Sequence, residues 1–63
     1  MNENALPLPG RLLEARHVAL LLSVPVSWVR EHTRRGEIPC VALGRYVRYR
    51  REDVERWIAE RAG

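Results

Sequence analysis

Arg30, Glu31, Arg34 and Arg35, preceded by Ser27 and Trp28 and followed by Arg45 and Arg48, are the side chains whose types and spacing could do chemistry in this chain. That chemistry is recognition rather than bond-making. A guanidinium is always charged and offers a planar fork of donors that fits two phosphate oxygens or the O6 and N7 edge of guanine. At helical spacing Ser27, Arg30, Glu31 and Arg34 share one outward side, with Trp28 and Arg35 flanking it. Ser27 can donate to a phosphate or a base edge, and Glu31 can accept from a cytosine amino group. Glu31 has a second reading as an ion-pair partner of Arg34 or Arg35. Trp28 also has two, an indole laid on a sugar-phosphate backbone or a ring partly buried under its own domain.

The charge is concentrated where those residues lie. Residues 1–24 are neutral, with Arg11 and Arg16 set against Glu3 and Glu14. Residues 25–51 hold seven Arg against Glu31 and Glu37, and residues 52–63 hold Arg56 and Arg61 against Glu52, Asp53, Glu55 and Glu60. The net charge of +3 therefore conceals a strongly basic middle block, which suits a polyanion such as DNA. All eleven basic residues are Arg. This favours bidentate contacts, and it is equally what the codons of a GC-rich genome produce.

Other classes of function find little here. The chain of 63 residues is one small domain with no room for a cleft between subdomains. It has one Asp, no Ser and His usefully placed, no Gly-rich loop before a Lys and no paired carboxylates, so we expect no enzyme and no cofactor. His17, His32 and Cys40 lack the spacing of metal ligands. A single Cys cannot form an internal disulfide, which suits a reducing cytosol. The longest apolar run, Val18 to Leu22, is far too short to span a bilayer, and the N-terminus lacks the basic start of a signal peptide. The expected location is cytoplasmic, with no membrane partner.

Several elements must position these arginines. Residues 1–10, with Pro7, Pro9 and Gly10, read as a disordered or extended tail, and 11–63 as the domain. Apolar spacing predicts a first helix from Glu14 to Leu22, with Leu12 or Leu13 leading in. Ser23-Val24-Pro25 breaks it, and a second helix runs from near Pro25 to about Arg35, stopped by Gly36. Pro39 keeps Ile38 extended. Alternation on either side of Gly44-Arg45 predicts a hairpin with a type II′ turn, its face of Val41, Leu43, Val47 and Tyr49 packed on Leu21, Val29, Val54 and Trp57. A last helix buries Val54, Trp57 and Ile58. The fold class is mostly α with a small β-hairpin: helix-turn-helix, two-stranded wing, C-terminal helix. Arg45 at the wing tip, with Arg48 behind it, suits the minor groove or its flanking phosphates.

A set of marks recurs in order along residues 11–61: Leu21-Leu22 before Val24, Ser27 and Val29, Arg34-Arg35-Gly36-Glu37-Ile38-Pro39, Leu43-Gly44-Arg45, Arg48, Asp53-Val54 and Trp57-Ile58. Together they resemble the small winged helix-turn-helix family of excisionases and AlpA-type prophage regulators, a MerR-like group. The resemblance implies a second helix that reads the major groove through Ser27, Glu31 and Arg34, and a wing that directs Arg45 toward the minor groove. It further implies a phage excisionase, or recombination directionality factor: a sequence-specific, DNA-bending protein that binds tandem sites and directs an integrase toward excision. Its partners would be double-stranded DNA, a site-specific recombinase and a head-to-tail neighbour on the DNA, in a bacterial host cell. The alternatives are an AlpA-like transcription regulator and a phage DNA-packaging adaptor domain. The chain departs from the family pattern at Glu14 and Pro25, where Ser or Thr caps are usual, at Trp28, where a small polar residue is usual, and at His32-Thr33, where apolar residues are usual.

Overall fold

The computed structural model describes residues 6–8 and 10–62. Three helices and an antiparallel hairpin follow in the order α1 (Ala15–Leu22), α2 (Val26–Arg34), β1 (Val41–Leu43), β2 (Tyr46–Arg48) and α3 (Arg51–Ala62). This is the winged helix-turn-helix expected from the sequence. Of the expected tail, residues 1–5 and Pro9 lie outside the described residues.

Local chemistry sets each boundary. Glu14 stands extended as the N-cap of α1, and its backbone N–H donates to His17 Nδ1 at 2.9 Å. At the other end Ser23 takes φ 57, a left-handed conformation unusual for a residue with a Cβ. Its N–H donates to the Leu20 carbonyl at 3.3 Å and that of Val24 to Ala19 at 3.1 Å, so the chain turns while the last carbonyls stay satisfied. Pro25 is the N-cap of α2 rather than its first residue, with φ −64 and ψ 150. Its carbonyl accepts from Trp28 at 3.0 Å and Val29 at 3.4 Å, and a proline's missing N–H leaves nothing unpaired there. Gly36 ends α2 at φ 73, where its N–H and that of Glu37 reach Thr33 and His32, both at 2.9 Å. The expected glycine stop is therefore present, with both hydrogen bonds of the left-handed motif.

The core is built from all three helices and two extended segments. Leu13, Val18, Val29 and Val54 are fully buried, with Ile38 and Tyr49 beside them. Each such aliphatic side chain contributes about 1.5–3 kcal/mol, a large share for so small a domain. Of the two candidates leading into α1, Leu13 is inside and Leu12 is exposed. Trp57 and Ile58 pack against the core from its rim, so Trp57 is half-buried rather than central, with the Arg61 guanidinium 4.6 Å from its ring centroid.

The wing packs differently from the expectation. Its register pairs Val41 with Arg48, Ala42 with Val47 and Leu43 with Tyr46. Directly opposed residues share a face, so Leu43 and Val47 cannot lie on the same one. A two-residue turn opposes residues i and i+3, and this reverses the parity between the strands. Leu43 and Val47 are exposed, Val41 is half-buried and only Tyr49 reaches the core. Gly44 takes the positive φ, 63, that the first position of a type II′ turn requires.

Tyr49 fastens the wing to the rest. Its backbone forms an antiparallel bridge with Leu13, with N–H···O distances of 2.7 and 2.9 Å, so the chain ahead of α1 lies along the wing's base. Its hydroxyl lies 2.6 Å from Thr33 Oγ1 on α2. Thr33 Oγ1 already donates to the Val29 carbonyl at 2.7 Å, which makes the tyrosine the donor. Tyr49→Phe deletes this bond alone and should cost about 0.5–1.5 kcal/mol in urea unfolding. An unchanged midpoint would show that the bond contributes nothing to stability.

Buried His17 is held below its ordinary pKa of 6.5, chiefly by burial and then by the Arg16 charge, against an opposing pull from Glu14. Above 6.5 the imidazole is neutral in both folded and unfolded chains, and its contribution is complete. As pH falls from 6.5 through the lower folded value, only the unfolded chain takes up the proton, and stability is lost. His17→Gln keeps an acceptor for the Glu14 N–H but cannot titrate. Its unfolding free energy should therefore depend less on pH across that window than the parent's; equal slopes would contradict this.

Candidate nucleic-acid interface

The short turn sets α2 across α1, and Val29 fixes its rotation by turning into the core. Ser27, Arg30 and Arg34 are consequently exposed, as the helical spacing predicts. Tyr49 in turn fixes where the wing stands relative to that face. Between them lies a groove lined from α2 by Arg30, Thr33 and Arg34, from the wing by Arg45, Tyr46, Val47 and Arg48, and from the start of α1 by Glu14, Ala15 and Arg16, with Cys40 and Tyr49 completing it. Five arginines from three elements thus border one concavity. Ser27, Trp28, Glu31 and Arg35 lie outside its lining.

The arginines are held in two contrasting ways. On α2, Glu31 pairs with both Arg34 and Arg35, the latter at 3.1 Å, so both readings of its ion pairing hold at once in the free protein. Arg30 has no side-chain partner among the described residues. On the wing, the guanidinium carbons of Arg45 and Arg48 each lie 5.4 Å from the Tyr46 ring centroid. An aromatic ring orients a guanidinium, at about 0.5–1 kcal/mol when exposed, without cancelling its charge. The wing therefore presents two full positive charges, whereas Glu31 partly neutralises the helix's own.

Trp28 sits at the edge of the core. It is half-buried, packs against the core and stacks on His32, with ring centroids 3.7 Å apart and an interplanar angle of 21°. His32 Nδ1 lies 2.8 Å from the Trp28 carbonyl, and Nε2 lies 3.7 Å from Glu37. The polar pair at His32-Thr33 is thereby explained: one ring covers Trp28, and the hydroxyl receives Tyr49. Strand alternation sets Tyr46 and Arg48 on one face of β2. The ring contacts of Tyr46 with Arg45 and Arg48 carried no mark in the sequence, nor did the place of Arg16 in the groove.

Among the described residues no group of three His, Cys, Asp or Glu could hold a metal ion, and no helix is long and apolar enough to cross a membrane. A family model described as a helix-turn-helix domain matches residues 12–62, most of the chain and every element above. No curated protein and no solved structure gives a match. The family match implies double-stranded DNA as the partner.

The Glu31 pairs make a measurable prediction. Glu31→Gln releases Arg34 and Arg35 and should raise affinity for non-specific DNA by up to about fivefold, since an exposed pair is worth about 0.2–1 kcal/mol. Fluorescence anisotropy on a random duplex measures it. Unaltered affinity would mean that the pairs do not compete with phosphate.

Proposed function

The chain belongs to the helix-turn-helix domain family, and from that premise we propose that it is a sequence-specific, DNA-bending factor of the excisionase type. The observation that carries this reading is the groove bordered jointly by Arg30 and Arg34 of α2 and Arg45 and Arg48 of the wing. A helix of this diameter fits the major groove, and the second helix of the motif enters it near its N-terminal end. Ser27, Arg30 and Arg34 then face base edges and phosphates, and Glu31 exchanges an arginine for a cytosine amino group. Trp28 and Arg35 flank the helix beside the backbone. Arg45 reaches the adjacent minor groove, with Arg48 on its phosphates.

Bending follows from the same placement. Cations gathered on one face of a duplex neutralise the phosphates on that side and leave repulsion on the other side unopposed, which curves the DNA toward the protein. In this reading the protein acts by shaping DNA, and an integrase is the enzyme that such shaping serves. Binding at tandem sites would place neighbouring copies head to tail.

Footprinting on flanking genomic DNA, with and without the candidate integrase, tests the role. Repeated protected sites beside integrase sites, with excision dependent on this protein, are expected. A single site over a promoter, indifferent to integrase, would instead indicate a transcription regulator. On a duplex limited to one site, five phosphate-contacting arginines predict that log affinity falls with log salt at a slope of roughly −4 to −5. Arg34→Ala should cost about 1–3 kcal/mol and relax preference at one position, and Arg45→Ala should reduce the bend. A flat salt response, or an undiminished bend, would contradict the assignment.

A further inference from the structure

A second arginine cluster lies beyond the wing and takes no part in the site described above. The antiparallel bridge between Leu13 and Tyr49 brings the segment ahead of α1 alongside the one that leads into α3. Arg11, Leu12, Arg50 and Arg51 line one depression there, with Gly10 and a single carboxylate, Glu52. Like charges gathered around one depression repel, and an anion among them relieves that repulsion. Arg51 is anchored by a 2.8 Å bond from Nη2 to the Pro7 carbonyl. Arg11 and Arg50 are exposed, and their guanidiniums have no partner among the described residues.

The cluster is continuous with the groove. Arg48 borders both the groove and a neighbouring depression, and that second depression also contains Arg11, which borders the third with Arg50 and Arg51. Arginine thus follows arginine from α2 across the wing to the base of α3.

We propose that this track is a phosphate path: DNA leaving the site read by α2 continues along Arg48 to Arg11 and Arg50, which grip flanking phosphates outside the recognised sequence. The inference rests on the reading of α2 and the wing as a DNA interface. A polyanion suits the cluster better than an acidic protein surface, because the charges form a line continuous with an interface already assigned to DNA. Such contacts add affinity without sequence preference and steepen the salt dependence.

The test compares the parent with an Arg11→Ala, Arg50→Ala double variant, leaving Arg51 to hold the Pro7 segment. Both altered residues are exposed, and an unshifted melting curve confirms the fold. Two duplexes are used, one limited to the site and one extended on the flank that the wing faces. The parent's salt slope should steepen from roughly −4 to −5 on the short duplex to about −6 on the long one. The variant should stay at the shallower value on both, with unchanged site preference. Between about 50 and 200 mM salt the parent on the long duplex should lose about tenfold more affinity than the variant. Equal slopes for parent and variant on the long duplex, while Arg34→Ala still weakens the short one, would overturn the path and leave the α2 reading intact. Should Arg34→Ala also change nothing, the α2 reading fails and the path falls with it. Loss of integrase or self-association in the variant, with its DNA slopes equal to the parent's, would assign the cluster to a protein instead.

Discussion

Tyr49 is the residue on which the relative placement of wing and recognition helix depends. Its hydroxyl bonds to Thr33 on α2, its backbone pairs with Leu13 ahead of α1, and its ring fills the core beside Val29 and Val54. A two-stranded hairpin has little stability of its own in water. Leu43, Tyr46 and Val47 are exposed, so the wing's tip has little packing to orient it. The wing stands where its base is held, and the Tyr49 side chain joins that base to the rod whose arginines it must accompany. The polar Thr33, in a position where an apolar residue would be expected, is what the tyrosine hydroxyl requires. Without it, a buried hydroxyl would lack a partner.

From that fixed geometry follows a division of electrostatic labour. The helix carries a carboxylate among its arginines, and the wing has an aromatic ring between its own. If these arginines grip DNA as proposed, Glu31 weakens indiscriminate attraction to phosphate, because an arginine must leave it first. The wing has no such restraint and keeps its full charge. In the proposed reading, selectivity therefore belongs to α2, and the wing supplies attraction together with the force that bends the duplex.

Much of this was legible in the sequence. Gly36 announced the end of α2, and Gly44 the turn of the wing, because each position demands a positive φ. Val29 fixed which side of α2 faces outward. The hairpin's inner face was misread because strand alternation was carried across a two-residue turn, where parity reverses. Ile38 went unassigned to the core, and Leu13 undecided against Leu12, because each sits in an extended segment where no regular alternation marks its inner face. The same gap hid the bridge to Tyr49, and with it the approach of Arg11 to Arg51, residues forty positions apart in the chain. Local pattern cannot report a long-range pairing of one residue with one residue. The roles of Tyr46 and Glu31 depend on contacts among neighbours that spacing permits and only coordinates distinguish.

The central claim is that arginines of α2 and of the wing engage one duplex at the same time. Nitrogen-15 spectra of the arginine Nε–H groups, recorded as a single cognate duplex is added, measure this directly. The account predicts that Arg30, Arg34, Arg45 and Arg48 shift together and saturate at one protein per site. Wing signals that stay at their free positions while those of α2 reach saturation would contradict it.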